Sequence, residues 1–270
     1  MVDGSWQIEK IEIQIPGLKQ EYTFLQISDA HICHARRGDS IAAKEKAEKH
    51  TLAWTQKEIA PRDAFADALS YAAEIKADGL FMTGDCMDYY SESNIACMQF
   101  SLKYAEMEKL YVPGNHEWSD WEKEKGFPAA YGEMMQGNPA CWVRDYGEFL
   151  VVGMDDSALT LSDAQLDFLK AQMERKLPIL LLVHVPLCTE AISPSIMKRW
   201  GTTFMIGTEE DSANAHAFCR LVRDPGSPVL AIFAGHIHFA HTGEFAPGKM
   251  QYAAAPCLEK FLREIYVVGE

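Results

Sequence analysis

Several features are missing from this 270-residue sequence, and each absence excludes a class of protein. No apolar run approaches the roughly 20 residues that a membrane-spanning helix needs, and the first residues lack the layout of a secretory signal. The seven cysteines form no Cys-x-x-Cys pair, and their odd number argues against a disulfide framework or a thiolate zinc site. We therefore expect a cytoplasmic protein with reduced cysteines and no membrane partner.

Positive charge is also scarce. The chain has 25 Lys and Arg against 39 Asp and Glu, which gives a formal net charge of −14. Binding to nucleic-acid phosphates or anionic lipids rests on clustered Lys and Arg, so this balance argues against a nucleic-acid partner. An anionic substrate would need a local source of positive charge.

The sequence has no internal repeat, no low-complexity stretch and no Pro/Gly/Ser-rich linker that would mark a domain boundary. With 48% hydrophobic and 24% charged residues, its composition is that of an ordinary globular protein. We therefore predict a single domain covering residues 1–270.

Short apolar runs of the kind found in buried strands recur along the chain, with helical patterns between them. This alternation predicts an α/β fold with a largely parallel sheet, whose binding loops follow the carboxyl ends of the strands. The runs are residues 22–27, 79–82, 110–112, 149–153, 179–183 and 229–234. Residues 241–245, 250–255 and 264–268 predict short strands in a mixed or antiparallel section.

Three helices have local signals. Pro61 begins one, because proline is tolerated in a first helical turn and apolar residues follow it at helical spacing. Ser162 and Gln165 can form a capping box for a helix that continues to about residue 176. A third, at about residues 41–60, is rich in Lys and Glu and is interpreted as a solvated surface helix.

Oxygen and imidazole side chains follow five of the predicted strands. In extended backbone, residues two apart point to the same side, so each i, i+2 pair can reach one centre. Glycines at positions 84, 114 and 235 would allow the sharp turns that place these groups. The candidates are Asp29 with His31, Asp85, Asn115 with His116, His184, and His236 with His238.

Each of these motifs alone is weak, because a Gly-Asp is usually a turn and a single histidine is usually structural. Together they contain five of the nine histidines of the chain. Two Asp, one Asn and four His form a mixed oxygen and nitrogen set that suits manganese, iron or zinc. Seven ligands suit two ions sharing a carboxylate, which can clamp both oxygens of an in-line phosphoryl displacement.

The ordered motifs resemble those of the calcineurin-like metallophosphoesterase superfamily, and the resemblance spans most of the chain. The blocks are Asp-x-His at Asp29, Gly-Asp-x-x-Asp at Gly84, Gly-Asn-His-Glu at Gly114, the single His184, and Gly-His-x-His at Gly235. The resemblance implies a four-layer αββα sandwich of two mixed β-sheets flanked by helices. It also implies two divalent or trivalent metal ions and hydrolysis of a phosphodiester or phosphomonoester by a hydroxide held between them.

The resemblance also implies roles for single residues. One metal would be bound by Asp29, His31 and His238, the other by Asn115, His184 and His236, with Asp85 bridging. His116 would face the substrate and stabilise charge or protonate the leaving oxygen, with Asp88 orienting its ring.

One departure bears on the substrate. Protein serine/threonine phosphatases have an arginine directly before the Gly-Asn-His-Glu block, whereas this chain has Pro113. The Pro-Gly-Asn-His form is more similar to the branch that contains small phosphodiesterases, so we expect a small phosphate ester. The alternatives are an inactive scaffold protein with the same fold, which the complete ligand set argues against, and a nuclease, which the acidic charge argues against.

Other polar residues near these motifs have ordinary structural explanations. His34 and His241 are interpreted as structural histidines, and Asp155 and Asp156 as turn or cap residues at least as readily as substrate contacts. Residues 189–211 could form a lid or substrate wall, or equally an oligomer contact or packed loop. The cationic and aromatic residues of that segment are Lys198, Arg199, Trp200 and Phe204.

Overall fold

Two β-sheets form the centre of this computed structural model, which describes residues 5–55, 59–121 and 125–270. The first sheet has five strands in the spatial order β1 (Gln7–Ile15), β11 (Phe261–Gly269), β2 (Tyr22–Ile27), β3 (Gly79–Thr83) and β4 (Glu108–Val112). Only the β11–β2 pair is antiparallel. The carboxyl ends of β2, β3 and β4 therefore meet at one edge of the sheet.

The second sheet has six strands and is also mixed. Their spatial order is β5 (Cys141–Asp145), β6 (Leu150–Met154), β7 (Ile179–Leu182), β8 (Val229–Ala234), β10 (Lys249–Ala253) and β9 (His241–Ala246). The two outer pairs are antiparallel and the inner pairs are parallel. The predicted antiparallel section near the end of the chain is thus the β9–β10 hairpin.

The described residues contain seven α-helices, and five of them cover the outer faces of the two sheets. The helices are α1 (Ile41–Thr55), α2 (Pro61–Glu74), α3 (Glu92–Lys103), α4 (Ala129–Met134), α5 (Asp163–Met173), α6 (Ser193–Trp200) and α7 (Ala213–Arg223). α2, α3 and α4 pack on the first sheet, while α5 and α7 pack on the second. The order helix, sheet, sheet, helix confirms the predicted αββα sandwich.

Aromatic side chains fill the space between the two sheets. Phe24 stacks on Phe81 with ring centroids 4.5 Å apart, and Phe81 meets Phe233 of the opposite sheet edge-on at 5.2 Å. All three are fully buried. Burying a side chain of this size contributes about 1.5–3 kcal/mol, so this layer fixes how the two sheets face each other.

A polar contact also joins the sheets, close to the strand ends. Gln26 of β2 donates from Nε2 to the carbonyl of Ala234 in β8 (2.9 Å) and to Oγ1 of Thr83 in β3 (3.2 Å). The buried guanidinium of Arg263 donates to Oε1 of Gln26 (2.5 Å) and to the carbonyl of Ala253 in β10 (3.1 Å). Buried polar groups need such partners, so the contact holds the ends of β2, β3, β8 and β10 together.

The sequence predicted the central strands well and missed two outer ones. β2 and β8 have the predicted bounds, and β3, β4, β6 and β7 differ from them by one or two residues. β1 and β5 were not predicted, because β1 is half polar and β5 has a single buried residue.

The capping box of α5 forms as predicted, although the helix ends at Met173 and not near residue 176. α1 begins at the predicted place and ends at Thr55, and residues 56–58 of the prediction lie outside the described residues. Within the described ranges, no helix has the length and apolar character needed to cross a membrane.

Candidate metal centre

Five parallel strands end around one point between the two sheets. β2, β3 and β4 of the first sheet and β7 and β8 of the second are each followed by a loop that carries predicted ligands. The side chains come together in two groups, and each group contains residues from both sheets. The structure therefore brings all seven predicted metal residues into one centre.

The first group is Asp29, His31 and His238. Nε2 of His31 lies 3.1 Å from Nε2 of His238, which is 3.4 Å from Oδ1 of Asp29. Asp29 and His31 are fully buried, and the side chain of His238 is 10% exposed. This small opening leaves one side of the group accessible.

The second group surrounds Nε2 of His184. This nitrogen lies 3.1 Å from Oδ2 of Asp85, 3.2 Å from Oδ1 of Asn115 and 3.1 Å from Nδ1 of His236. Asp85 also belongs to a further cluster with His31 and His116, so its carboxylate lies between the two groups. This position fits the shared carboxylate expected from the sequence.

Hydrogen bonds on the far side of two rings decide which nitrogens face the centre as acceptors. Nδ1 of His31 contacts the carboxylate of Asp88 (3.0 Å), and Nδ1 of His184 contacts the carbonyl oxygen of Thr83 (2.8 Å). A ring nitrogen beside such an acceptor carries a proton, which leaves Nε2 of each ring facing the centre. Burial opposes a charge on His184, but Asp85 outweighs it and raises the pKa of this ring to about 10, so a metal ion would displace a proton from its Nε2.

Nitrogen and oxygen ligand atoms therefore approach one another to close to 3 Å in both groups. Metal cations require such convergence of their ligand atoms. In addition, Nε2 of His236 is a buried ring nitrogen with no hydrogen-bond partner. The donor set therefore fits metal ions.

The carboxylates of the centre are held ionised. Burial alone would raise the pKa of Asp29 and of Asp85, but the neighbouring histidines outweigh it and lower both. Burial also lowers the pKa of His236 to about 3, which keeps this ring neutral. Ionised carboxylates and neutral imidazoles are the protonation states in which these side chains bind metals.

The ligand loops are not extended, which corrects one sequence inference. Asp29, His31, Asp85, His236 and His238 all have left-handed backbone conformations, with φ between 45° and 71°. The i, i+2 pairs therefore converge through paired left-handed residues and not through strand geometry. Non-glycine residues in this region cost of order 1–3 kcal/mol each, and such strain concentrates at functional sites.

Two glycines in these loops have different reasons to be there. Gly84 has a φ of +86°, as a sharp turn requires, and a Cβ there would lie 2.4 Å from Nδ1 of His184. Gly235 has an ordinary φ, but a Cβ there would lie 1.9 Å from Oγ of Ser28 and 2.5 Å from Oδ2 of Asp29. Close approach, and not a turn, explains Gly235.

A buried carboxylate that the sequence did not single out ties two ligand loops together. Glu117 is fully buried and accepts five hydrogen bonds. Since every partner is a donor, the contacts fit the ionised form. Oε1 accepts from the backbone N–H groups of Cys86 (2.7 Å) and Met87 (3.1 Å) and from the hydroxyl of Tyr111 (2.6 Å). Oε2 accepts from the backbone N–H groups of Asp85 (2.9 Å) and Gly114 (2.8 Å).

His116 lies at the exposed side of the centre, with 30% of its side chain accessible. Its Nδ1 lies 2.9 Å from Oδ1 of Asp88, and its backbone N–H donates to Oδ1 of Asp85 (2.8 Å). Burial opposes the charged ring, but the bond to Asp88 outweighs it and raises the pKa of His116 to about 9. A cationic imidazole therefore borders the centre, with Nε2 as the ring nitrogen available to a ligand.

Residues 22–240 match the family model described as calcineurin-like phosphoesterase. The chain belongs to the calcineurin-like phosphoesterase family. Among curated protein sequences, none matches the chain.

Solved structures resemble this calcineurin-like phosphoesterase in fold. A dimetal phosphatase from Danio rerio superposes with a TM-score of 0.60 at 14% identity, with 88% of each chain covered. A 5′-nucleotidase from Candida albicans gives 0.49 at 13% identity, covering 91% of this chain and 48% of that one. A putative 5′-nucleotidase from Staphylococcus aureus gives 0.46 at 12% identity, covering 88% and 49%. The chain thus spans about half the length of the two nucleotidases. At 14% identity, the likeness to the dimetal phosphatase shows the fold alone.

In this calcineurin-like phosphoesterase, α1 is not only a surface helix. Ala47 is its one fully buried residue, as the interpretation of a solvated helix requires, but one face reaches the centre. His50 contacts Oδ2 of Asp88 (2.5 Å), and Nε1 of Trp54 donates to Oδ1 of the same carboxylate (2.9 Å). Their i, i+4 spacing on a Lys- and Glu-rich helix was a signal that could have identified this face.

The segment at residues 189–211 also borders the metal centre of this phosphoesterase. The ring of Trp200 lies 5.7 Å from that of His238, and Phe204 lies 5.2 Å from His236. Nε1 of Trp200 donates to the carbonyl of Ile237 (2.9 Å). These contacts favour the substrate-wall interpretation for the aromatic residues of the segment.

The residues given structural explanations lie outside both ligand groups. Asp156 accepts hydrogen bonds from the backbone N–H groups of His184 (2.9 Å) and Val185 (3.0 Å), so it holds a ligand loop from behind. Asp155 accepts from its own turn. His34 and His241 are in none of the metal-competent groups among the described residues.

Proposed function

We propose that this chain, as a single domain of residues 1–270, is a dinuclear metal-dependent hydrolase of small phosphate esters. Membership of the calcineurin-like phosphoesterase family supports the reaction class. The observation that carries the proposal is the convergence of nitrogen and oxygen ligand atoms from five loops into two groups, with Asp85 between them. Each metal would bind at the residues that the family resemblance implies, with manganese, iron and zinc as the candidates.

When bound, two metal ions supply Lewis-acid activation of the phosphate ester and of the attacking water. The chain contributes the surroundings of that reaction. Asp29, Asp85 and the imidazoles would hold the cations, and the left-handed loops fix the directions of these side chains. The cations also bring positive charge to a chain whose net charge is −14.

His116 is the catalytic residue of the proposal. Its ring is held cationic by Asp88 and lies at the open side of the centre, where a phosphoryl oxygen or leaving oxygen would bind. From there it can stabilise negative charge or donate a proton to the departing alcohol. Asp88 positions the ring and keeps the proton on Nδ1.

A small phosphodiester or phosphomonoester is the proposed substrate class, in line with the small-phosphodiesterase branch expected from Pro113. The cytoplasmic location expected from the sequence stays a prediction.

The test is metal content together with hydrolysis. Protein stripped with a chelator is reloaded with manganese, iron or zinc, analysed for metal, and assayed with bis(p-nitrophenyl) phosphate and p-nitrophenyl phosphate. We expect about two ions per chain and cleavage that depends on them. If the protein binds no metal and cleaves neither ester, the proposal is contradicted and the scaffold alternative is favoured.

A matched pair of variants sharpens the test. Asp85→Asn removes a charge from the shared carboxylate and should weaken both metal sites. Asp167→Asn makes the same change at an exposed position of α5 and should leave both sites intact. Retention of two tightly bound ions in Asp85→Asn would show that this residue does not bridge.

A further inference from the structure

An indole ring from α1 lies directly against the metal centre. Trp54 stacks on His31 with ring centroids 4.1 Å apart and an interplanar angle of 23°. The same ring lies 5.4 Å from His238 and 6.2 Å from His116. Trp54 is half-buried, so part of its surface is accessible beside the open side of the centre.

A second indole reaches the same place from another element. Trp200, the last residue of α6, lies 5.7 Å from His238 and is 37% exposed. Its Nε1 is bonded to the carbonyl of Ile237 (2.9 Å), which fixes the ring on the loop that carries His236 and His238. Two tryptophans from separate helices thus border one ligand, His238.

The position of Trp54 relative to His116 indicates what part of a substrate meets the indoles. If His116 protonates the leaving oxygen, the alcohol carrying that oxygen begins beside the His116 ring. Trp54 borders that position, and Trp200 lies across His238 from Trp54. Large, partly accessible aromatic rings next to a reaction centre favour a flat ring in the substrate.

We propose that Trp54 and Trp200 form a subsite for a planar aromatic group on the alcohol side of the scissile phosphate ester. This inference rests on the proposed function and adds the chemical class of the leaving group. Ring stacking is worth about 0.5–1.5 kcal/mol beyond area burial, which corresponds to a preference of roughly twofold to tenfold for an aromatic over a saturated ring of the same size.

The alternative is that Trp54 serves only to shield His31 and to hold Asp88. That role predicts equal losses for every substrate when the ring is removed. A subsite predicts a loss confined to aromatic substrates, so the ratio between two matched esters separates the two roles.

The matched esters are benzyl phosphate and cyclohexylmethyl phosphate, which have primary alcohol leaving groups of similar size and differ in the planarity of the ring. Their methyl diesters form a second pair. Values of kcat/KM are measured for the metal-loaded protein and for Trp54→Leu, Trp54→Phe, Trp200→Leu and Trp200→Phe. Phe100→Leu, which removes an exposed ring on α3, is the control. Binding of benzylphosphonate and cyclohexylmethylphosphonate gives the same ratio without turnover.

We expect the unmodified protein to prefer the benzyl ester about fivefold, the Leu variants to bring the ratio close to one, and the Phe variants and Phe100→Leu to retain a preference. A ratio near one in the unmodified protein, or a preference for the saturated ring, overturns the inference and leaves the proposed function intact. If either Leu variant keeps the benzyl-to-cyclohexylmethyl ratio of the unmodified protein, the two tryptophans do not form the subsite together and the inference is overturned. Failure to cleave any ester, with metals bound, overturns the proposed function and this inference with it.

Discussion

Replacement of Glu117 by glutamine tests the hydrogen bonds that join two ligand loops. The amide has nearly the shape of the carboxylate, but it replaces one acceptor oxygen with an NH₂ donor. At the Oε1 position the NH₂ would face the N–H groups of Cys86 and Met87, and at Oε2 those of Asp85 and Gly114. Either orientation leaves two buried backbone donors without a partner.

The cost follows from that count. Each buried donor left unsatisfied costs about 1–3 kcal/mol, so Glu117→Gln should lower the free energy of unfolding by about 2–6 kcal/mol. This is a large part of the roughly 5–15 kcal/mol that stabilises a typical protein. At about 2–4 °C per kcal/mol, the Tm should fall by roughly 4–24 °C.

Thermal unfolding followed by circular dichroism measures this effect. The experiment is done in excess chelator, because metal bound to the native state adds its own stabilisation. Glu45→Gln removes the same charge from an exposed position of α1 and should leave the Tm within about 2 °C of the starting value. If Glu117→Gln unfolds at the same temperature as Glu45→Gln, the five hydrogen bonds do not hold the loops as described.

Three further outcomes are expected. His116→Gln should keep both metals and lower kcat by roughly 10²–10⁴, since it removes a charged acid and no ligand; loss of metal, measured by elemental analysis, would contradict the assigned role. Gly235→Ala should weaken metal binding in a chelator competition, because the added Cβ displaces Asp29. Gly38→Ala, which has open space around it, should bind metal as tightly as the unmodified protein. Equal metal affinities of the two variants would refute the close approach at Gly235. Burial opposes ionisation of Glu264, but bonds from two tyrosines and a lysine outweigh it, so its pKa is lowered on folding. The stability that this shift contributes is fully present above the pKa of Glu264 in the unfolded state, near 4.3, and is lost as the pH falls through its pKa in the folded state. Lowering the pH from 7 to 3 should therefore reduce the urea midpoint less in Glu264→Gln than in the unmodified protein.

The centre of this fold was predictable because its signals are local. Buried parallel strands are continuous apolar runs, and the ligands follow them directly, so β2 and β8 and the residues after them could be read from the sequence. The capping box of α5 involves residues three apart and is equally local. The seven candidate ligands required only that the strand ends meet, which the sandwich provides.

What could not be predicted depends on contacts between distant segments. The interface between His50, Trp54 and Asp88 exists only because α1 returns to the ends of β2 and β3. The same holds for Gln26, whose partners lie 57 and 208 residues away along the chain. The left-handed backbone at Asp29 is also imposed by its surroundings, since an aspartate alone adopts it only occasionally.

The position of β11 has a consequence for the order in which the protein can be assembled. β11 lies between β1 and β2, and its register joins Gln7 to Phe261. A ribosome therefore releases β1 long before its neighbour exists, and the edge of the first sheet cannot close until β11 has been synthesised. Until then β2 also lacks a neighbour on that side, so the two ligands that follow it are carried by an unfinished sheet. Because these pairings join distant parts of the chain, we expect folding to be slow and the metal centre to form only after β11 has been synthesised.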